Sequence, residues 1–267
     1  MSATAPTSPP ANTNPESSIS ASSPGEASVD AATKTAFFAA IQSHDAAQVE
    51  ALLNAHPALA SARRPSGTSA VLVALAVIDK EGFWRPQSNP ILASVLARHP
   101  PLDPFEAAAV GDYARVAAEI ARDPAFVAAF HAPPFGWSAL HFASFGGQRE
   151  IAALLLDKGA DIQLRAKTQF ENTPLQVALL TAQTEVVQLL ISRGADVNLT
   201  QAEGITALHE AAQTNSKQLI AILLDAGANV NAAGAKGETP LDIALRGDKK
   251  DAAALLRERG GRVGVAP

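Results

Sequence analysis

The sequence predicts an all-α solenoid of about seven helix-turn-helix repeats joined by short hairpin-like fingers, and two landmarks advancing in step predict it. Four segments share one phrase: Trp137-Ser-Ala-Leu-His141, Asn172-Thr-Pro-Leu-Gln176, Ile205-Thr-Ala-Leu-His209 and Glu238-Thr-Pro-Leu-Asp242. The Ser or Thr of each phrase falls at 138, 173, 206 and 239, and the glycines at 159, 194, 227 and 260 keep the same steps of 35, 33 and 33. A fixed period of about 33 residues marks a stacked repeat. Such a stack offers a long surface to a partner instead of one central cleft.

Taken in order, residues 1–30 are mostly Ser, Ala, Thr and Pro, with Ile19 and Val29 the only branched aliphatics and no aromatic ring. This composition cannot bury enough apolar surface to offset the entropy of ordering, so a disordered tail is expected. It also lacks the basic start and continuous apolar stretch of a secretory signal. Phe37 and Phe38 mark the beginning of folded structure.

Residues 31–134 read as degenerate repeats that keep the register. Placing Thr35 on Thr206 puts Asp45 at the start of a second helix and Leu52-Leu53 on its apolar stripe. The next unit, from Thr68, holds the apolar run Val71–Ile78 before an insertion at 79–88 that contains Phe83-Trp84-Arg85. Helix resumes at Asn89-Pro90 and reaches Leu96. A third unit, from Asp103, places Ala108-Ala109 on one helix and Val116 and Ile120 on the next. His56-Pro57, Pro100-Pro101 and Asp123-Pro124 stand where the later glycines stand and are expected to stop the helices, because proline cannot continue one.

Residues 135–263 form the regular part, and the unit from Thr206 shows its physics. The Thr206 hydroxyl can cap the first turn; at 174 and 240 a proline follows the cap, suited to a position that needs no donor. Leu208, Ala211 and Ala212 line the first helix. Ser216 caps the second, whose Leu219, Ile220, Leu223 and Leu224 make one apolar stripe. Gly227 ends it as a left-handed residue, and a turn-rich segment, Ala228 to Gly237, leads to the next cap. The charged run Leu255-Leu-Arg-Glu-Arg-Gly-Gly-Arg262 suits the polar outer face of a carboxyl-terminal cap.

The Thr-Pro-Leu-His phrase, the paired alanines, the paired leucines and the stretches Gly194-Ala-Asp-Val-Asn198 and Gly227-Ala-Asn-Val-Asn231 resemble the ankyrin repeat family over residues 134–263. Tetratricopeptide repeats have a similar period without this glycine phrase, and HEAT repeats are longer. The resemblance implies an ankyrin-type solenoid that binds a protein partner. It also implies that His141 and His209 hydrogen-bond within and between neighbouring repeats; Gln176 and Asp242 take their place in the sister units.

Composition narrows the chemistry. The chain has no cysteine, six histidines, a net charge of −5 and 47% apolar residues, with a sequence pI near 5.7. Thiolate sites and disulfides are excluded. No run approaches the roughly 18 apolar residues of a membrane span, and the acidic balance argues against a nucleic-acid partner. No Gly-x-Ser-x-Gly, phosphate-loop or HExxH pattern occurs. The expectation is therefore a non-catalytic, monomeric scaffold, adaptor or inhibitor in the cytoplasm, with no cofactor and no metal. A secreted effector that binds a host protein is the alternative, and an enzyme of unknown class the least favoured reading.

By the same resemblance, partners meet the fingers and the exposed end of each first helix. The finger positions are Pro134, Phe135 and Trp137; Gln169, Phe170 and Asn172; Ala202, Glu203 and Ile205; Ala235, Lys236 and Glu238. From these and the helix ends, the residues expected to bind a partner are Phe135, Trp137, Phe145, Phe170, Asn172, Glu203, Ile205, Gln213, Lys236 and Glu238. Two alternatives stay open: Phe135 and Trp137 either face a partner or pack on the preceding unit around Phe126 and Phe130, and Phe83 and Trp84 either carry function or cover the edge of a short finger.

Overall fold

A computed structural model describes residues 29–77, 86–133 and 135–264. The expected tail over 1–28, Phe83, Trp84 and Arg85 of the insertion, and Pro134 lie outside the described residues.

Fourteen α-helices succeed one another among the described residues: α1 (Ala31–Gln42), α2 (Ala46–Ala55), α3 (Ala70–Leu75), α4 (Pro90–Leu96), α5 (Pro104–Val110), α6 (Tyr113–Arg122), α7 (Ala139–Phe145), α8 (Arg149–Asp157), α9 (Pro174–Leu180), α10 (Thr184–Ser192), α11 (Ala207–Thr214), α12 (Lys217–Asp225), α13 (Pro240–Arg246) and α14 (Lys250–Glu258). Each odd-numbered helix packs on the even one that follows it. Helices α5, α7, α9, α11 and α13 then stack as one row, and α6, α8, α10, α12 and α14 as a second. This is the layered arrangement of an ankyrin-type solenoid, in which each unit buries its apolar stripe against its neighbours.

The repeated phrase sets the helix starts. Ser138, Thr173, Thr206 and Thr239 are the N-caps of α7, α9, α11 and α13, and Asp45, Asp103 and Ser216 cap α2, α5 and α12. Gly159, Gly194, Gly227 and Gly260 have φ between 87° and 92°, a left-handed conformation that closes α8, α10, α12 and α14 at little steric cost. Small residues let the first row close up: Ala109, Ala143, Ala178, Ala211, Ala212 and Ala244 are all buried. The closest approach is at Gly146, where an added Cβ would lie 1.8 Å from the Ala109 carbonyl oxygen.

The fingers are turns, with isolated bridges and no strand among the described residues. Gln201 N–H donates to the Ile205 carbonyl at 2.9 Å and Gly204 N–H to that of Gln201 at 3.0 Å; Gly234 and Gly237 repeat the pattern one unit on. Neighbouring fingers are tied by Lys167 N–H to Gly136 O, Ala202 N–H to Phe170 O and Ala235 N–H to Glu203 O, at 2.8 to 3.1 Å.

Four details depart from the sequence reading, all in the earlier half. Helix α1 starts one turn before Thr35, because the Asp30 carboxylate accepts from Thr33 N–H at 2.8 Å. Asp30 and the core-packed Val29 thus belong with the described fold, two residues that the sequence reading places in the tail. Ser69, not Thr68, caps α3, its hydroxyl accepting from Leu72 N–H at 3.1 Å. The turn after α4 is made by His99 at φ 49°, ahead of Pro100. Finally, α2 and α6 do stop directly before His56-Pro57 and Asp123-Pro124 as expected, but Pro57 and Pro124 each then open a 3₁₀ turn, Pro57–Ser61 and Pro124–Ala128, which buries Leu59 and Phe126. Proline suits the first position of such a turn, where no N–H is needed.

Candidate functional site

The third residue of each first helix in the regular half has to serve two units. His141 Nδ1 accepts from Ser138 N–H (3.3 Å) and Oγ (2.8 Å), which fixes the proton on Nε2, and Nε2 donates to the Asn172 carbonyl of the next finger at 3.0 Å. His209 does the same with Thr206 and the Glu238 carbonyl. Gln176 matches both functions with an amide: Oε1 accepts from Thr173 N–H at 2.9 Å and Nε2 donates to Ile205 O at 3.1 Å. Asp242 keeps only the accepting half, from Thr239 N–H and from Gly264 N–H at 2.7 Å. Burial pushes the His141 pKa down to about 4, so its imidazole is neutral at pH 7 with both nitrogens engaged. These side chains are structural links, with no free base to offer.

The glycine phrase carries a second set of links. The amides of Gln163, Asn198 and Asn231 each stand four residues after a helix-ending glycine and donate to the carbonyl of the next such glycine, at 3.3, 3.0 and 3.2 Å. The fingers and the ends of the first helices also present an open face.

On that face lies a groove of about 730 Å³. It collects nine of the ten residues expected to bind a partner: Phe135, Trp137, Phe170, Asn172, Glu203, Ile205, Gln213, Lys236 and Glu238. Phe170 at 49% is among the most exposed large apolar side chains described. Glu203, Gln213 and Lys236 are exposed too, and Ile205 and Glu238 are half-buried. An exposed aromatic at the mouth of a groove is the kind of side chain that dominates binding energy in interfaces.

Two expected residues prove to be walls. Phe145 is buried at 5% exposure beneath Trp137, ring centroids 5.3 Å apart; it lines a smaller apolar cleft of about 170 Å³ between α3 and α7. Asn172 is buried as well, its Nδ2 donating to Gln201 Oε1 at 2.8 Å. Phe135 and Trp137 are half-buried, with both rings packed on Phe142 of α7, at 5.6 and 5.4 Å. Their contact with Phe126 of the preceding unit runs through Phe142 and Phe105, whereas Phe130 is covered by Lys167 Nζ at 4.1 Å. The two rings thus pack inward on one side and still line the groove on the other.

Sequence reasoning missed Glu210. It is 7% exposed, lines the groove floor and accepts one hydrogen bond, from Gln201 Nε2 at 3.1 Å. Burial raises its pKa to about 7. The available signal was positional: the residue four after the cap is Phe142, Val177 and Ile243 in the sister units.

Nearer the amino terminus, Asp103 and His131 pair at 3.7 Å beside Glu106, which accepts the Ser69 hydroxyl and lies 3.9 Å from Arg63. Among the described residues no group of His, Asp and Glu has the arrangement of a metal site. None of the described helices is long and apolar enough to cross a membrane. A family model described as ankyrin repeats (three copies) matches residues 106–201 and again residues 182–265. No curated protein matches the chain.

Proposed function

The chain belongs to the ankyrin repeat family, and from that premise we propose that it is a non-catalytic interaction module, a scaffold, adaptor or inhibitor that holds a protein segment in the groove between the fingers and the ends of α9, α11 and α13. Helix pairs from α1 to α14, in about seven units, provide a rigid support. Side chains on successive fingers meet the partner already fixed, so little ordering entropy is lost on binding. One observation carries the reading: the finger positions that the repeat leaves free converge on a single groove with Phe170 exposed at its edge. The absence of catalysis is supported by His141 and His209, each with both ring nitrogens spent on neighbouring units.

Affinity capture with the full chain tests this when compared with Phe170→Ala and Ile205→Arg. Both sites lie on the groove surface, so a melting temperature close to the parent's is expected together with loss of specifically captured proteins. Recovery of the same proteins by all three baits would place the interface elsewhere. Trp137→Ala is the poorer probe, because its ring also supports Phe142 and Phe145.

A further inference from the structure

Glu210 stands at a position its sister units fill with Phe142, Val177 and Ile243, all buried. An apolar side chain there costs the fold nothing, whereas a buried carboxylate with a single hydrogen bond loses hydration that one amide does not replace. The amide in question is itself held, since Gln201 accepts from Asn172 Nδ2 while donating to Glu210. This chain Asn172–Gln201–Glu210 fixes one carboxylate oxygen and turns the group toward the groove. The remaining charges have the same bias. Glu238 is taken up by Arg246, so among the described residues of the groove Glu203 and Glu210 stay without an ion pair, against one such cation, Lys236. The aromatic faces of Trp137 and Phe170 in the same groove also attract cations.

We propose that the groove receives a segment of another protein bearing an arginine or lysine, whose cationic head pairs with Glu210 while its apolar neighbours lie on Phe170 and Trp137. This rests on the interaction reading above and names the chemistry of the occupant. Residues 1–28 contain no lysine or arginine and so do not supply the cation themselves.

The test pans the full chain against a library of random displayed peptides and measures resynthesised binders by fluorescence anisotropy. Enrichment of Arg or Lys beside an apolar residue is expected, with binding weakened at least about tenfold by Glu210→Gln, equivalent to ~1.4 kcal/mol, and weakened also by Phe170→Ala. Glu210→Val, which copies Val177, serves as a second variant should the first not fold. Binders that lose affinity with Phe170→Ala but not with either Glu210 variant would overturn the cationic occupant and leave the groove as the interface. Binders indifferent to all three variants would remove the groove reading itself. Selection of acidic sequences, or of sequences with no basic residue, would also refute the proposal.

Discussion

The earlier half, residues 29–77 and 86–133, and the regular half, residues 135–264, both start their first helices at a Ser, Thr or Asp N-cap but join their units with different chemistry. In the regular half the third residue of each internal first helix makes a neutral link that runs forward: His141, Gln176 and His209 donate to the carbonyl of the next finger. In the earlier half the residue equivalent to His141 in the Ser69-capped unit is Leu72, which cannot link, and in the Asp103-capped unit it is Glu106. A carboxylate has no proton to give forward, so Glu106 accepts the Ser69 hydroxyl behind it, and the forward connection passes to the Asp103–His131 pair. Register and coupling are thus separable properties of a repeat. The first can persist in a degenerate sequence while the second moves from neutral amides and imidazoles to ionisable groups.

The sharpest way to break the comparison is at the seam where the halves meet. Gly146→Ala would drive a methyl into the Ala109 carbonyl oxygen at 1.8 Å, and overpacking against backbone should cost about 3 kcal/mol or more. The equivalent Gly247→Ala meets only the flexible Lys249 side chain, at 3.3 Å Cγ, and the Ile243 carbonyl at 3.4 Å. Urea denaturation should find Gly247→Ala within about 1 kcal/mol of the parent; equal losses at both sites would refute the close approach.

Two buried groups of the regular half should show opposite pH signatures. His141 has a folded pKa near 4, below the ordinary 6.5, so the unfolded chain binds more protons between these values. Stability contributed by neutral His141 is full above pH 6.5 and falls as pH drops toward 4, on the order of 3 kcal/mol in all. His141→Gln, copying Gln176, should keep both links and flatten that limb of a stability-versus-pH curve. Glu210 has the reverse sign. Its folded pKa near 7 exceeds the ordinary 4.5, so the folded chain binds more protons in that window and stability falls as pH rises through it. Glu210→Gln should therefore stabilise at pH 8, by about 3 kcal/mol at most, and be close to neutral at pH 4. A gain that is the same at both pH values would show that Glu210 titrates normally.

The smallest effect is expected in the earlier half. His131 is raised above the ordinary imidazole value, chiefly by its hydrogen bond to Asp103. Its contribution is full below pH 6.5 and is lost as pH rises through the raised value. His131→Ala should cost about 1 kcal/mol at pH 6 and less at pH 9, as measured by chemical denaturation at both values. A loss that does not change with pH would reduce His131 to packing.

Helix starts were legible in the sequence because a cap is a local device: a Ser, Thr or Asp before an apolar run satisfies an orphan amide wherever the chain goes afterwards. Where two local solutions compete, the register slipped, as with Asp30 against Thr35 and Ser69 against Thr68. The groove was legible through the resemblance, which gives the finger positions, at fixed offsets from each cap, a binding role. Burial within it was not. Phe145 and Asn172 occupy free positions by spacing, yet Trp137 covers one and Gln201 ties down the other, and both are contacts between distant residues. Glu210 was hidden because a lone glutamate in a helix reads as a solvated face; only comparison with Phe142, Val177 and Ile243 sets it apart.

The forward link has a consequence for how such an array can lengthen. Its acceptor is a backbone carbonyl that every regular unit presents, and its donor is a side chain every internal regular unit carries. A tandem duplication of residues 173–205 would give the new copy a donor behind it and an acceptor ahead of it without a single compensating substitution. Duplicating the unit that begins at Asp103 would instead face Glu106 with a predecessor lacking Ser69, burying a carboxylate with no hydroxyl to meet it. Growth by copying is therefore open to the regular half and closed to the Asp103 unit, whose neighbours have become irreplaceable to it.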